Sequence, residues 1–257
     1  MIRTRYLPSA CALLLAATTA LLAACGPDAA PAAQRPAADA AAPAADPAPP
    51  ATSEAPDVLT VEAAPDGTPT RVVVRGVDLT GVGHDRGDPR APIVMVEFSD
   101  FGCPYCAQHA RETFPALERD FIATGKVFYK HVPFVMGMFP NGDRAARAAE
   151  CAGEQDRFWP MHDSVYARQT DWKRGRDPDA VLTGLARQVV PDASRWLACQ
   201  AADRRRARTD AANTGARQLG VRATPTFFID GQLVEGALPL PVMRQGLNAL
   251  LRERTAR

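Results

Sequence analysis

The sequence carries almost no net charge: 30 Lys and Arg face 29 Asp and Glu, a formal balance of +1. That balance implies no nucleic-acid footprint, and electrostatics identify no partner. Neither a GxGxxG run nor a phosphate loop occurs, so no cofactor motif is present. The four histidines, His84, His109, His131 and His162, show no HxxxH pairing. Cys103 and Cys106 are the only cysteines at motif spacing, and Cys151 and Cys199 each stand alone. A zinc site would want a second ligand pair at such spacing, and no metal is expected.

What is present centres on Phe101-Gly102-Cys103-Pro104-Tyr105-Cys106. The apolar run at residues 92–98 precedes it and a segment of helical spacing follows. Strand, tight turn and two cysteines in the first turn of a helix suit dithiol chemistry. Residues i and i+3 share a helix face, within the Cα separation a disulfide needs. The unpaired N–H groups and partial positive charge of the helix start stabilise a thiolate, so Cys103 should titrate below the free thiol value of about 8.5. Cys106, one turn in, should be shielded and act as the resolving thiol. Pro104 sits where its missing N–H costs little. The same pair also suits a structural disulfide or half of a metal site.

The segment Val96-Glu97-Phe98-Ser99-Asp100-Phe101-Gly102-Cys103-Pro104-Tyr105-Cys106 resembles the active site of DsbA-like, thioredoxin-fold thiol–disulfide oxidoreductases. A second segment, Gly220-Val221-Arg222-Ala223-Thr224-Pro225-Thr226-Phe227-Phe228-Ile229-Asp230-Gly231, resembles that family's cis-proline loop and the hairpin after it. The two motifs arrive in the family's order, and the likeness covers residues 88–257. It implies a cis peptide at Thr224–Pro225 packed against the dithiol. There Pro225 removes an N–H near the sulfurs, and backbone groups of Thr224 pair with an extended substrate. It also implies a buried acid at the position of Glu97. Strand alternation puts Glu97 on the face of Ile93 and Met95, where a buried carboxylate can relay a proton to the resolving thiol. An edge-strand glutamate facing water is the alternative.

Along the chain, residues 1–24 read as an export leader, with Arg3 and Arg5 ahead of an apolar stretch. Its end, Leu22-Ala23-Ala24-Cys25, resembles a bacterial lipobox, which makes Cys25 the lipidated first residue; an ordinary cleaved leader is the rival. Residues 25–56 are an Ala- and Pro-rich linker without aromatics, which cannot bury enough surface to order itself. Fully extended it would span about 90 Å, against about 30 Å as a coil. Residues 57–87 hold a short β-hairpin extension, Val58-Leu59-Thr60-Val61 and Arg71-Val72-Val73-Val74 around a Pro65-Asp66-Gly67 turn, and then a loop over 76–91.

From Cys106 a helix should run to about Thr124, buried through Phe114, Leu117, Phe121 and Ile122 and ended by Gly125. His109 is expected to be a partly exposed surface residue. The strand at residues 127–132 completes a right-handed βαβ unit. Residues 143–219 are helical in pattern and too long for a loop, with Asp143, Asp177 and Asp192 as candidate N-caps. In an exported protein the even number of remaining cysteines favours a structural Cys151–Cys199 disulfide over two buried thiols. A closing helix from Leu240 should bury Val242, Leu247, Leu250 and Leu251.

The fold class expected is therefore α/β: a thioredoxin-like fold with an all-helical insertion, preceded by a short β-hairpin and a disordered linker. The function expected is dithiol–disulfide exchange in exported proteins through Cys103 and Cys106, in the oxidase direction, without a cofactor. The substrates are exported protein thiols or disulfides. A membrane redox partner, DsbB-like or DsbD-like, resets the pair, on the periplasmic face of an inner or outer bacterial membrane. An envelope reductase or isomerase, and a non-enzymatic redox-sensing or scaffold lipoprotein, are the alternatives.

Overall fold

The computed structural model describes residues 59–256. The leader, Cys25 and the linker lie outside the described residues. No helix among the described residues is long and apolar enough to cross a membrane.

The chain first forms an antiparallel meander, β1 (Leu59–Ala63), β2 (Pro69–Val74) and β3 (Val77–Asp78), one strand more than the hairpin expected. Alternation in β2 points Val72 and Val74 inward, where they join Leu79, Val94, Val96 and Phe98 in one core. The extension thus packs on the main domain.

The main sheet contains β4 (His84–Arg86), β5 (Ile93–Ser99), β6 (Val127–Pro133), β7 (Thr226–Ile229) and β8 (Gln232–Glu235), in the order β4-β6-β5-β7-β8. The central strand β5 runs parallel to β6 and antiparallel to β7, with Glu97 opposite His131 on one side and Phe227 on the other. All seven residues of β5 are buried, which explains its nearly unbroken apolar run. One face of the sheet meets the meander and helix α8 (Arg206–Gln218) through Val96, Phe98, Phe128, Ala212 and Ala216. The other packs Ile93, Met95, Tyr129 and Phe227 under Phe114, Leu117 and Phe121, and under Met243 and Leu247 of α9 (Leu240–Thr255).

The strand β4 falls inside the stretch expected to be a loop. His84-Asp85-Arg86 has no apolar alternation, because an edge strand's partner is backbone and its side chains make polar contacts. The sheet thereby begins before residue 88.

After the dithiol turn, α1 (Pro104–Gln108) and α2 (Phe114–Leu117) alternate with π turns at His109–Thr113 and Glu118–Ile122. Pro115 explains the first interruption: it has no N–H to continue the ladder, and the Phe114 N–H reaches back five residues to the His109 carbonyl.

The insertion comprises α3 (Gly142–Gly153), α4 (Phe158–Ala167), α5 (Gln169–Arg174), α6 (Pro178–Val189), α7 (Ala193–Ala201) and α8. Cys151 of α3 and Cys199 of α7 are joined by a disulfide, with Cα atoms 5.8 Å apart. Asp177 and Asp192 cap α6 and α7, accepting from the N–H groups of Ala180 at 2.9 Å and Arg195 at 3.0 Å. Asp143 does not cap α3: the N-cap is Asn141 in a left-handed conformation, and Asp143 lies in the first turn. In α9 the expected stripe is rotated, leaving Val242 exposed and burying Met243 with Leu247.

Candidate active site

The sheet delivers Cys103 at the C-terminal end of β5, where the chain turns before α1. A turn bond from the Cys103 N–H to the Asp100 carbonyl, 2.9 Å, sets the entry angle. Cys103 is the N-cap of α1, with Pro104 in the first helical turn, and Cys106 follows one turn later. Both thiols are free and buried.

Their environments differ in sign. Cys103 is lowered to about 6, first by the hydrogen bond from the Cys106 thiol and then by Thr224 and the N–H groups of Cys106 and Tyr105, against the cost of burial. Cys106 is pushed well up by burial, by its bond to Cys103 and by the negative charge of Glu97. One sulfur is thus a stabilised thiolate at neutral pH and the other a protonated thiol. Tyr105, between them in sequence, projects into solvent at 62 % exposure.

Across from the pair, the Thr224–Pro225 peptide is cis. Cys103 Sγ lies 3.2 Å from the Thr224 carbonyl, which accepts from it only when the thiol is protonated. The Pro225 carbonyl accepts from Gly236 at 2.8 Å, fastening the loop to the end of β8.

Glu97 is buried at 2 % exposure, and its carboxylate accepts from the Tyr129 phenol. Burial raises Tyr129 well above the usual phenol range, so it remains a donor. Ser99 Oγ lies 2.8 Å from the Tyr166 hydroxyl.

His109 is fully buried, contrary to the surface position expected. It shares a helix face with Cys106, and that face points into the core; its ring lies 4.8 Å from Phe227. His131 and His162 are buried nearby, their rings 5.0 Å apart. Burial lowers His109 and His131, keeping both neutral.

Three further residues hold the turn, and none was singled out by the sequence. Gln169 donates to the carbonyls of Phe101 at 2.6 Å and Cys103 at 2.9 Å, and Lys173 donates to that of Gly102 at 2.5 Å. Helix α5 therefore clamps three successive carbonyls of the dithiol turn. Asp100 accepts from the N–H of Gly102 at 2.8 Å. This Asx-type turn has a local signature, an aspartate two residues ahead of a glycine; the α5 contacts, 66 to 71 residues away, have none. No group of three or more His, Cys, Asp or Glu among the described residues is arranged to hold a metal ion.

Fold and site together define a class: a thioredoxin-fold protein with a helical insertion and two thiols of opposite character. The chain belongs to the thioredoxin family, whose profile matches residues 80–249. It is 38 % identical over 155 residues to the Na(+)/H(+) antiporter NhaA 1 of Salinispora arenicola, covering 60 % of this chain and 22 % of that protein. Such relatives are matched over about a quarter of their length or less. Disulfide bond formation protein D of Bacillus subtilis is 26 % identical over 156 residues, covering 58 % of this chain and 68 % of that one. Among solved structures, alpha-DsbA1 of Wolbachia pipientis superposes with a TM-score of 0.61 at 23 % identity, over 68 % of this chain and 93 % of that one. Oxidised BdbD of Bacillus subtilis gives 0.57 at 21 % identity, over 66 % and 93 %. These two likenesses establish the shared fold.

Proposed function

We propose that the protein is a thiol–disulfide oxidoreductase of the cell envelope that donates disulfides to exported proteins. The observation that carries this reading is the geometry of the pair: Cys103 caps the start of α1 with its Sγ 3.2 Å from the carbonyl before the cis Pro225, and Cys106 lies one turn into the helix. The lowering of Cys103 and the raising of Cys106 agree with it. In the oxidised state a substrate thiolate attacks Cys103 Sγ. The Cys103–Cys106 bond breaks, a mixed disulfide forms on Cys103, and Cys106 leaves and takes up a proton. A second substrate thiolate then attacks the substrate sulfur of the mixed disulfide and expels Cys103 as a stabilised thiolate. The substrate loses two electrons and the pair gains them. Glu97, beside the resolving thiol, is the group proposed to handle its proton. Thr224 and Pro225 present backbone to the substrate strand. The name of the Bacillus subtilis relative, a disulfide bond formation protein, agrees with this direction.

The decisive measurement is the reduction potential of the pair in glutathione buffers, with Cys103→Ser as the inactive control. A value near about −120 mV identifies a disulfide donor, and one near about −270 mV a reductase. A value below about −300 mV with exchange unaffected by Cys103→Ser overturns the enzyme reading.

The same proposal places the domain at a bacterial membrane, tethered through Cys25 and reset by a membrane redox protein, DsbB-like for an oxidase. Full-length protein should partition into the detergent phase, and Cys25→Ser should return it to the aqueous phase. Equal partition of the two forms would remove the anchor.

A further inference from the structure

We propose that Asp100 is a positioning residue of the dithiol site, a buried carboxylate that fixes the turn bearing Cys103 and, while ionised, opposes the Cys103 thiolate. Reduction of the pair is thereby coupled to protonation of Asp100. The proposal rests on Cys103 being the sulfur that carries the thiolate.

The geometry is that of a built site. Asp100 directly follows the central strand β5 and is 1 % exposed. One carboxylate oxygen accepts from the Gly102 N–H at 2.8 Å and the other from the Met136 N–H at 3.3 Å. It thus ties the dithiol turn to the loop after β6, the two walls in front of α3. Two glycines make room for it: a Cβ on Gly142 would lie 2.5 Å from Asp100 Oδ1, and one on Gly102 would lie 3.3 Å away. The N-terminus of the twelve-residue helix α3 therefore approaches the carboxylate.

The groups facing Asp100 are Cys103 from the turn, Lys173 from α5, the Tyr166 phenol from α4 and the N-terminus of α3. Lys173, the facing cation, donates to the Gly102 carbonyl at 2.5 Å. The carboxylate is left with two backbone donors and a negative neighbour whenever Cys103 is ionised. Burial accordingly pushes Asp100 up to about 6, with the Cys103 charge acting in the same direction.

Two electrons and one proton convert the disulfide to the Cys103 thiolate and the Cys106 thiol. The new negative charge raises the proton affinity of Asp100, so reduction near pH 6 draws a further fraction of a proton onto its carboxylate. Oxidation removes the thiolate and returns that proton to solvent. Asp100 and Cys103 then titrate as a coupled pair, in two macroscopic steps that belong to both.

An aspartate selected only for its two hydrogen bonds would leave the titration of Cys103 untouched, and this separates the readings. Ultraviolet thiolate absorbance of the reduced protein should rise over two broad steps in wild type. In Asp100→Asn it should rise in one step, with its midpoint lower by about one unit. An unchanged midpoint and shape in a folded Asp100→Asn protein overturns the proposal. Should that variant fail to fold, the infrared difference between reduced and oxidised Glu97→Gln protein decides, because Asp100 is then the remaining buried carboxyl beside the turn. A protonated-carboxyl band must appear on reduction near pH 6, and its absence sinks the coupling. Both readouts follow protons, not turnover: an inactive Cys103 would remove the proposed function and leave this titration standing, and the reverse holds equally.

Discussion

Glu97 occupies the position from which a side chain can act on the resolving thiol. It is held by the Tyr129 phenol on one side, and its charge raises Cys106 on the other. When Cys106 leaves the disulfide it becomes a thiolate inside an apolar core, the least favourable place for that charge, and needs a proton at once. Glu97→Gln keeps the shape and an acceptor for Tyr129 while removing the titrating group. Stopped-flow reduction of the oxidised pair should be slowed about tenfold or more, with a flatter pH profile. The same rate and profile as wild type would sink the relay. The site residues legible in the sequence were those with local signatures: two cysteines three apart, a proline before a strand, an acid inside an apolar strand. Asp100 carries a local signature too, in its Asx turn with Gly102. Gln169 and Lys173 were out of reach, because a polar residue on a short helix gives no sign that the carbonyls it caps lie far back in the chain.

Among the elements, the strands that carry the site were legible because both of their faces are buried. In β5 the run is apolar apart from Glu97 and Ser99, and in β6 it is interrupted at Lys130 and His131. Every residue of both strands is nevertheless buried and the apolar residues dominate, as burial on two faces requires. At the edge of the sheet that logic lapses. In β4 the Trp159 indole N–H donates to the Asp85 carbonyl at 3.1 Å, the Asp85 carboxylate accepts from Lys130 at 2.6 Å, and His84 lies 3.0 Å from Glu150. Its side chains are chosen for polar partners, so no period-two pattern survives. In the helix after the dithiol the expected stripe holds across the π turns: Phe114, Leu117, Phe121 and Ile122 are all buried. The start of α9 departs from its expected stripe: Pro239 is its N-cap, and the face set there buries Met243 in place of Val242. The insertion was legible as helical, and the pairing of Cys151 with Cys199, 48 residues apart, was legible from the cysteine count of an exported chain. The rest of the mutual packing of its helices has no local pattern.

At the scale of the whole molecule, all four histidines of the sequence lie in or beside one aromatic cluster between the sheet and the insertion. His84 stacks on Phe158 at 3.6 Å, and His131 lies 5.4 Å from the same ring. No hydrogen-bond partner among the described residues reaches either ring nitrogen of His109 or His131. Burial is the first cause that lowers His84, His109 and His131 below their ordinary value. The unfolded chain therefore binds protons at these positions more readily than the folded one. As pH falls below the unfolded value of about 6.5, the unfolded state gains protons first and stability drops. Each histidine whose folded form stays neutral removes about 1.4 kcal/mol per pH unit over that window. Asp100 opposes them: burial holds it above its ordinary 3.8, to about 6 when the Cys103 charge is present, so its buried charge is relieved on acidification, one proton against three. The balance favours loss. The melting temperature of the oxidised protein should fall between about pH 7.5 and pH 5.5. The reduced protein should fall further, because Cys103, lowered from 9.0 to about 6, also gives up its thiolate stabilisation as pH drops through its folded value. Calorimetry of both redox forms across that range checks the argument. A melting temperature flat with pH in the oxidised form would mean that the buried imidazoles are not held neutral by the fold, and a reduced form that tracked the oxidised one would mean that Cys103 is no more acidic folded than unfolded.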